Sequence, residues 1–572
     1  MIHTTGRRAL PATRRRRGPR SVAAVALAAV LGVSLAACVS IPSDGPVQLG
    51  LSDLQQAERL VQLGASGPSA GDSQEQLVRG FLLAANSSAD DYAVAREFLS
   101  ATYATQWDPY DGALVYEGTK PYRSEGDDAG MLSLAVVANI DPAGTMLPVE
   151  SGASTELRFE FVREGDEWRI ASAPSGVLVD RASFTTIWSP HQLYFLGPQD
   201  RLVADPRWFL SRTALATEVV GALIEGPSSR LVQVVHSGFP PGVRLAKTGV
   251  PVTDGLARVD LTGDGLENPQ AQREILAQLQ ASLQSVAGVN RVELLIDGAT
   301  VQETAEPLVP DTVSQTSMKA VGFIDGKFGV FTNGEVEPIT DISDNVEALE
   351  PDAVSVSHSR TVAAVRNSDG VSMIAENSVA LIDQRRGLLE PSIDDDLWVW
   401  TASSADPTAI RVTAVDGTQH VLAAPWLADL NVKAVRVSPG GSLVAALIDD
   451  GGDQSQVLVA GVIRDNDGVP TALSEEADVE LWATGGAIDF DWVDAQRFVT
   501  LTQQGTAGKL TYSGPGMFAV EQGSVPNAIH VSGGGSRAQI RMVTSAGELF
   551  APQGSSGWQQ VGSAVELLGK RG

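Results

Sequence analysis

Apolar and polar positions recur along this chain in two rhythms, and the change from one to the other divides it. Between residues 73 and 99 the rhythm is helical. Leu77, Phe81, Leu82 and Ala85 fall three or four residues apart, and Ser73 with Gln76 forms a capping box. A second helix is predicted from about Asp91, with Ala95, Phe98 and Leu99 on one face. Strands follow at "GALVYEG" and "MLSLAVVANI". "STELRFEFVREGDEWRIASA" sets Leu157, Phe159 and Phe161 against Arg158 and Glu160, with a turn at Glu164 to Asp166. The helical rhythm returns in "TALATEVVGALIEGPSS", whose face is Ala216, Val219, Val220, Leu223 and Ile224 and which stops at Gly226-Pro227. "GLARVDLTG" is a short strand. Asn268 caps and Pro269 opens a helix facing inward with Ile275, Leu276, Leu279, Leu283 and Val286, and "NRVELLIDG" closes an α, β, α, β module.

Beyond "ETAEPLVPDTVSQTS" no long helix is predicted, and the strands repeat. "AVSVSHSRTVAAV" begins at Ala353, "AVRVSPGGSLVAAL" at Ala434, "AIDFDWVDAQRFVTL" at Ala487 and "AIHVSGGGSRAQIRMV" at Ala528, with a divergent "PSIDDDLWVWTA" at Pro391. Successive starts are 38 to 53 residues apart, close to one blade of a β-propeller, whereas a sandwich requires no such interval. With the leading hairpin "VGFIDGKFGVF", five or six blades are expected. The fold class is therefore multidomain: an α+β N-terminal domain, a small α/β domain and an all-β C-terminal propeller.

Charge changes the picture at the N-terminus. The chain has 572 residues and a formal net charge of -28, yet Arg7, Arg8, Arg14, Arg15, Arg16, Arg17 and Arg20 crowd its first twenty residues. The remainder is strongly acidic, which excludes a phosphate backbone as partner, so no nucleic acid is expected. After Arg20, "SVAAVALAAVLGVSLAA" is an apolar run rich in small residues, too short and too rich in alanine for a stable membrane span. It ends at Cys38, the chain's one cysteine. A basic region, an apolar region and small residues before a cut are the parts of a secretory signal. Leu35, Ala36, Ala37 and Cys38 resemble the bacterial lipobox. That resemblance implies cleavage before Cys38, a diacylglyceryl thioether on its sulfur, an N-acyl group, and anchorage on the extracytoplasmic face of the cell membrane. An unmodified signal-anchor cysteine is the alternative, and Arg7-Arg8 before Ala9-Leu10 leaves the export route open. Residues 1–37 are thus read as signal peptide and 38–72 as a tether rich in Gly, Ser, Pro and Gln.

Candidate chemistry is sparse. The six histidines His3, His191, His236, His358, His420 and His530 have no metal-ligand spacing, so neither metal nor cofactor is expected. Gly67-Pro68-Ser69-Ala70-Gly71 has the letters of a nucleophile elbow without the strand that should precede it. "DLTGDG" from Asp260 starts like a calcium loop, but its twelfth position is Ala271, which reads as a polar turn. Asp394, Asp395 and Asp396 read as a solvated turn. No catalytic residue is assigned, and an enzyme is not expected.

Residues 73–187 resemble the nuclear-transport-factor-like α+β cone. Tyr92, Tyr103, Trp107 and Asp108 are the candidates to line a pocket there, with core or rim packing the reading the pattern favours. "ALIEGP", "FPPGVRL", "GLARVDLTG" and "VELLIDG" are similar to the germination-protein GerMN domain, assigned to residues 188–303. A linker at 304–318 and a propeller at 319–572 follow. Lipobox, helical-to-sheet domain, GerMN module and propeller, in that order, resemble the actinobacterial lipoprotein LpqB family. The resemblance implies an accessory of the MtrAB two-component system that meets the extracytoplasmic part of the MtrB sensor kinase and affects envelope homeostasis and cell division. The alternatives are a lipoprotein that binds cell-wall glycan or peptide without a kinase, and an enzyme using the propeller centre or the cone. Metabolic labelling with palmitate tests the anchor: the native chain is expected to take up label and Cys38→Ala to take up none.

Overall fold

The computed structural model describes residues 66–571 except 89, 151–153, 212–213, 303–318 and 333–334. The lipobox residues Leu35, Ala36, Ala37 and Cys38, and most of the tether, lie outside the described residues. No helix among the described residues is long and apolar enough to cross a membrane.

The capping box forms as its residues require. Ser73 Oγ accepts from Gln76 N and the Gln76 side chain accepts from Ser73 N, satisfying two donors that a first helical turn leaves orphaned. The helix Gln74–Ala84 then buries Leu77, Val78, Phe81, Leu82 and Ala84. The second helix is shorter than its periodicity predicts, a single turn at Ala93–Arg96. Phe98 and Leu99 enter the core as non-helical chain, because Ile170 N donates to Phe98 O (3.0 Å) and Ser100 N to Ile170 O (2.8 Å). Buried peptide groups need partners, and a neighbouring strand supplies them.

Seven strands follow: β1 (Ala113–Glu117), β2 (Tyr122–Ser124), β3 (Ala129–Ile140), β4 (Met146–Pro148), β5 (Ser154–Glu164), β6 (Glu167–Ser172) and β7 (Val177–Asp180). Their main order is β6-β5-β3-β1-β7, and β7 lies parallel to β1, so the sheet is mixed. Next comes a hairpin of β8 (Trp188–Leu196) and β9 (Leu202–Leu210), then the helix Leu215–Glu225, the strand β10 (Arg244–Leu245) and the short hairpin β11 (Val252–Thr253) with β12 (Leu256–Thr262). The helix Pro269–Leu283 packs over β8, and β13 (Arg291–Ile296) lies parallel to β12. Gln278 and Ser282 interrupt that helix's apolar face for a reason. Gln278 Nε2 donates to Tyr194 O (2.9 Å) and Ser282 Oγ accepts from Tyr194 N (2.9 Å), so both side chains complete the hydrogen bonding of β8.

The remaining strands make six blades. Blade 1 holds Val321–Ile324, Lys327–Thr332 and Glu335–Glu337, and its innermost strand is the C-terminal segment Val565–Arg571. Blades 3, 5 and 6 are four-stranded sheets starting at Ser392, Gly486 and Ala528, and the four strands of blade 2, from Ala353, continue the sheet of blade 1 through a parallel pairing with Val565–Arg571. Blade 4 starts at Val432, and its outer strand is broken into Pro470–Leu473 and Asp478–Thr484. The first strands touch one another from blade 1 round to blade 6 and back, closing a ring. The leading hairpin thus receives its inner strand from the other end of the chain, which removes two exposed edges at once.

The hairpin β8–β9 joins the three domains. β9 is buried at eight of its nine residues, so neither face meets water. Towards the N-terminal domain, Trp208 N donates to Gly144 O (2.8 Å) and Arg207 Nη1 to Ala143 O (2.9 Å). Gly144 has φ +83°, and a Cβ there would sit 2.5 Å from Trp208 O, so the contact requires glycine. Towards blade 5, Trp208 Nε1 donates to Gly516 O (2.8 Å), and Phe518 meets the rings of Phe184 and Trp208 at 5.7 and 5.8 Å. The break in blade 4's outer strand receives Arg230, which pairs with Glu480 and, at 3.5 Å, with Asp478. Burial pulls the Arg230 guanidinium below its ordinary value against the pull of Asp478 and Asp205. Gly461 lets this segment close, since a Cβ there would stand 2.4 Å from Val234 Cγ2. Truncating the keystone is expected to be costly: Trp208→Ala should lose about 3–5 kcal/mol in urea denaturation. Hydrogen exchange in that variant should rise at residues 142–146 and 514–518 together, whereas Gln199→Ala at the hairpin tip should change neither.

Candidate functional site

The third residue of four repeat copies is polar: Ser355, Arg436, Asp489 and His530. Each lies on a first strand, and the ring of first strands gathers them around the propeller axis with Lys570 from the C-terminal strand. Lys570 is 2% exposed, and its ammonium donates to Asp489 Oδ2, Val531 O and Phe490 O, which uses all three of its protons. Asp489 also accepts from Val531 N and Phe490 N, each at 2.8 Å. Arg436 Nε stands 3.0 Å from Asp491 Oδ1, and Arg436 Nη2 donates to Ser355 Oγ (3.2 Å). Asp491 Oδ2 accepts from Gly533 N (2.8 Å). At the more exposed edge of the cluster, Glu390 lies 3.7 Å from His530 Nδ1, 3.8 Å from Arg436 and 3.9 Å from Lys570.

Electrostatics follow from this arrangement. Burial raises the Asp489 carboxyl, but Lys570 and His530 beside it outweigh burial and hold it far below the usual carboxylate range. Burial lowers His530, yet Asp489 and Glu390 outweigh that and leave it above the ordinary imidazole value. Burial raises Asp491 despite Arg436. Next to Lys570, burial and the neighbouring Arg360 bring Arg571 down to about 10, and its guanidinium donates to Lys319 O and His358 O, each at 3.2 Å. The network holds five blades to one another at the axis, since its members come from blades 1, 2, 4, 5 and 6 and Glu390 precedes the first strand of blade 3. These contacts tie the ring together at the axis, with His530 and Glu390 at its more exposed edge.

Other expected sites fall elsewhere. Tyr92 and Trp107 are buried core with rings 5.9 Å apart; Trp107 Nε1 donates to Gly176 O, Tyr103 Oη to Ala173 O, and Asp108 accepts from Tyr110 N. Ser69 lies in a turn whose backbone N–H donates to Asp72. Asp260 accepts from Gly298 N (2.9 Å) and pairs with Lys247 (3.2 Å), closing the turn after β13. The solvated-turn reading of Asp394 to Asp396 needs correction. Asp394 is buried and binds Arg464 of blade 4 and Trp400 Nε1 (2.9 Å), while Asp396 binds Arg464 (3.2 Å) and Arg201 of the β8–β9 hairpin (2.6 Å). The triplet clamps two blades and a second domain. An arginine seventy residues away has no local signature, so spacing within the triplet could not reveal it. The axial residues did leave a signal, a polar side chain at one fixed position of an otherwise apolar repeat.

Three domains meeting on one hairpin, with a propeller sealed at its axis by charge, define a modular β-propeller protein. Family comparison agrees domain by domain: residues 67–185 match "Lipoprotein LpqB, N-terminal domain", 192–302 match "Sporulation and spore germination", and 326–567 match "Lipoprotein LpqB beta-propeller domain". Relatives named lipoprotein LpqB include that of Cutibacterium acnes, 27% identical over 86% of this chain and 88% of that one. That of Streptomyces coelicolor is 28% identical over 79% and 80%. The chain belongs to the lipoprotein LpqB family.

The axial network sets a pH dependence. His530 contributes stability that is complete below its unfolded value of about 6.5 and is lost as pH rises through its higher folded value. Asp489 contributes stability present above about 3.9 and lost as pH falls through its lower folded value. The melting temperature is expected to fall from about pH 6 to about pH 8, and to fall less in His530→Gln. Lys570→Met, which strands Asp489 without its cation, should cost about 3–5 kcal/mol in urea denaturation at neutral pH.

Proposed function

We propose that this protein is a lipid-anchored, extracytoplasmic accessory of a membrane sensor kinase, the MtrB component of an MtrAB system, and that it is not an enzyme. Membership of the lipoprotein LpqB family is the observation that carries this reading. The physical argument runs from the lipid outward. A diacylglyceryl group and an N-acyl chain on Cys38 confine the protein to the membrane plane, where more than one chain is needed for stable attachment. Residues 39–72 give it reach, and confinement raises its effective concentration at a neighbouring receptor, so a weak contact suffices. The described domains offer that receptor a fixed surface. Any ligand that modulated signalling would have to prefer one state of the complex over the other.

The reading is tested by affinity capture of the intact lipoprotein from native membranes, with Cys38→Ala as control and mass spectrometry of what is retained. Recovery of one sensor kinase, lost when Cys38 is replaced, is the expected result. Recovery of wall-synthesis proteins or glycan with no kinase would overturn it in favour of a wall-binding lipoprotein.

A further inference from the structure

The outer strand of blade 2, Ser378–Asp383, has the sequence SVALID. Ser378, Val379, Ala380 and Leu381 are all exposed, Val379 by 45% and Leu381 by 47%. Other outer strands of the ring are protected. Blade 1 places Glu335 and Glu337 on its edge, β4 packs against that of blade 4, and that of blade 5 carries Glu521 and ends at Pro526. Charge, cover and proline are the usual defences of a sheet edge, and residues 378–381 have none of them. The other domains bind blades 3, 4 and 5, through Asp396, Asp478 and Gly516, and leave these four residues to solvent.

The hairpin fixes which backbone groups face outward. Glu376 and Asn377, at φ 49° and 58°, form a two-residue turn of the kind whose flanking pair, here Ala375 with Ser378, is hydrogen-bonded. Antiparallel pairs alternate from there. Ser378 and Ala380 therefore spend their N–H and C=O groups on Gly370–Ala375, while Val379 and Leu381 turn theirs away from it. Among the described strands, Ser378–Asp383 pairs with Gly370–Ala375 alone. One residue further on the edge is closed, since Ile382 O accepts from Gln419 Nε2 (3.1 Å).

An edge of this length and sequence matches its own copy. Turned about a two-fold axis through Ala380, a second strand sets Val379 opposite Leu381 at both sides of the axis, and each such pair exchanges its outward N–H···O bonds. Opposed residues share a face, so the apolar side chains of both copies come together on one side of the joined sheet. Ala380 meets Ala380 at the centre, in the non-hydrogen-bonded position with Cα atoms about 4.5 Å apart. The antiparallel direction also brings the end carrying exposed Glu376 to the end carrying exposed Arg386 of the other copy, which places opposite charges at both ends of the seam. A parallel or unrelated strand gains backbone bonds without these matched ends. A chain of formal net charge -28 repels its copies over most of its surface, and this uncharged stretch is an exception.

We propose that a second copy of this chain pairs on blade 2, edge to edge through Ser378–Leu381 of each, so that the two propellers share one continuous sheet. The proposal stands whether or not the kinase reading holds.

The test uses the full chain carrying Ala380→Cys in whole cells of its native host, oxidised mildly and run on a non-reducing gel. The native chain, in which Cys38 is the one cysteine, and Asp128→Cys, exposed in the first domain, are the controls. Ala380→Cys is expected to give a covalent dimer at about ten times the yield of Asp128→Cys or more, because Cα atoms about 4.5 Å apart fall in the range of a disulfide. Leu381→Lys, added to Ala380→Cys, puts like charges into the seam from an exposed position and should cut that yield about tenfold. A yield no higher than that of Asp128→Cys, or one that Leu381→Lys leaves unchanged, would overturn the proposal. A disulfide from Ala380→Cys to a different protein, with no dimer, would overturn it in favour of a foreign strand.

Discussion

A strand that is buried on both faces must find every partner it needs inside the protein, and β9 is such a strand. It carries Asp205 and Arg207 into the interior, where they pair with each other at 2.7 Å and with the backbone of Ser228, Gly226 and Ala143. Removing either charge would leave the other stranded, which is why contacts from three domains converge here. Trp208 extends the same strand into the N-terminal core and onto blade 5. The second domain and the propeller also share one continuous apolar core, in which Val219, Leu223 and Leu279 belong to the same cluster as Leu447, Leu481 and Phe490.

The propeller solves a related problem at its axis. A ring of sheets has to close, and it closes with the last strand of the chain inside the first blade. That strand delivers Lys570 to Asp489, so the final residues of the polypeptide complete a network begun more than two hundred residues earlier at Ser355. Such polar networks specify one arrangement of blades over alternatives of similar hydrophobic content. They also occupy the centre of the ring.

Much of this was legible in the sequence. The capping box at Ser73, the helix opened by Asn268 and Pro269, the turn after Glu164 and the repeat that becomes blades 2 to 6 are local signals, and each is present. What sequence reading missed is long-range. The helix expected beyond Asp91 stops after one turn because Ile170 offers its backbone, and β7 joins β1 in parallel through a return of the chain. Asp394 to Asp396 look like a solvated turn until Arg464 and Arg201 arrive from another blade and another domain. Periodicity reports which face is buried. It does not report what the buried charge meets.

The account depends on the N-terminal, GerMN-like and propeller domains forming one rigid body around β8–β9, and spin-label distances test that directly. With Cys38→Ser the chain has no other cysteine, so labels can be placed in pairs by Asp128→Cys in the first domain, Glu267→Cys in the second and Glu376→Cys in blade 2, all exposed positions. Double electron–electron resonance on the three pairs is predicted to give a single narrow distance distribution for each. A broad or multiple distribution between Asp128→Cys and Glu376→Cys, with the protein otherwise folded, would contradict it.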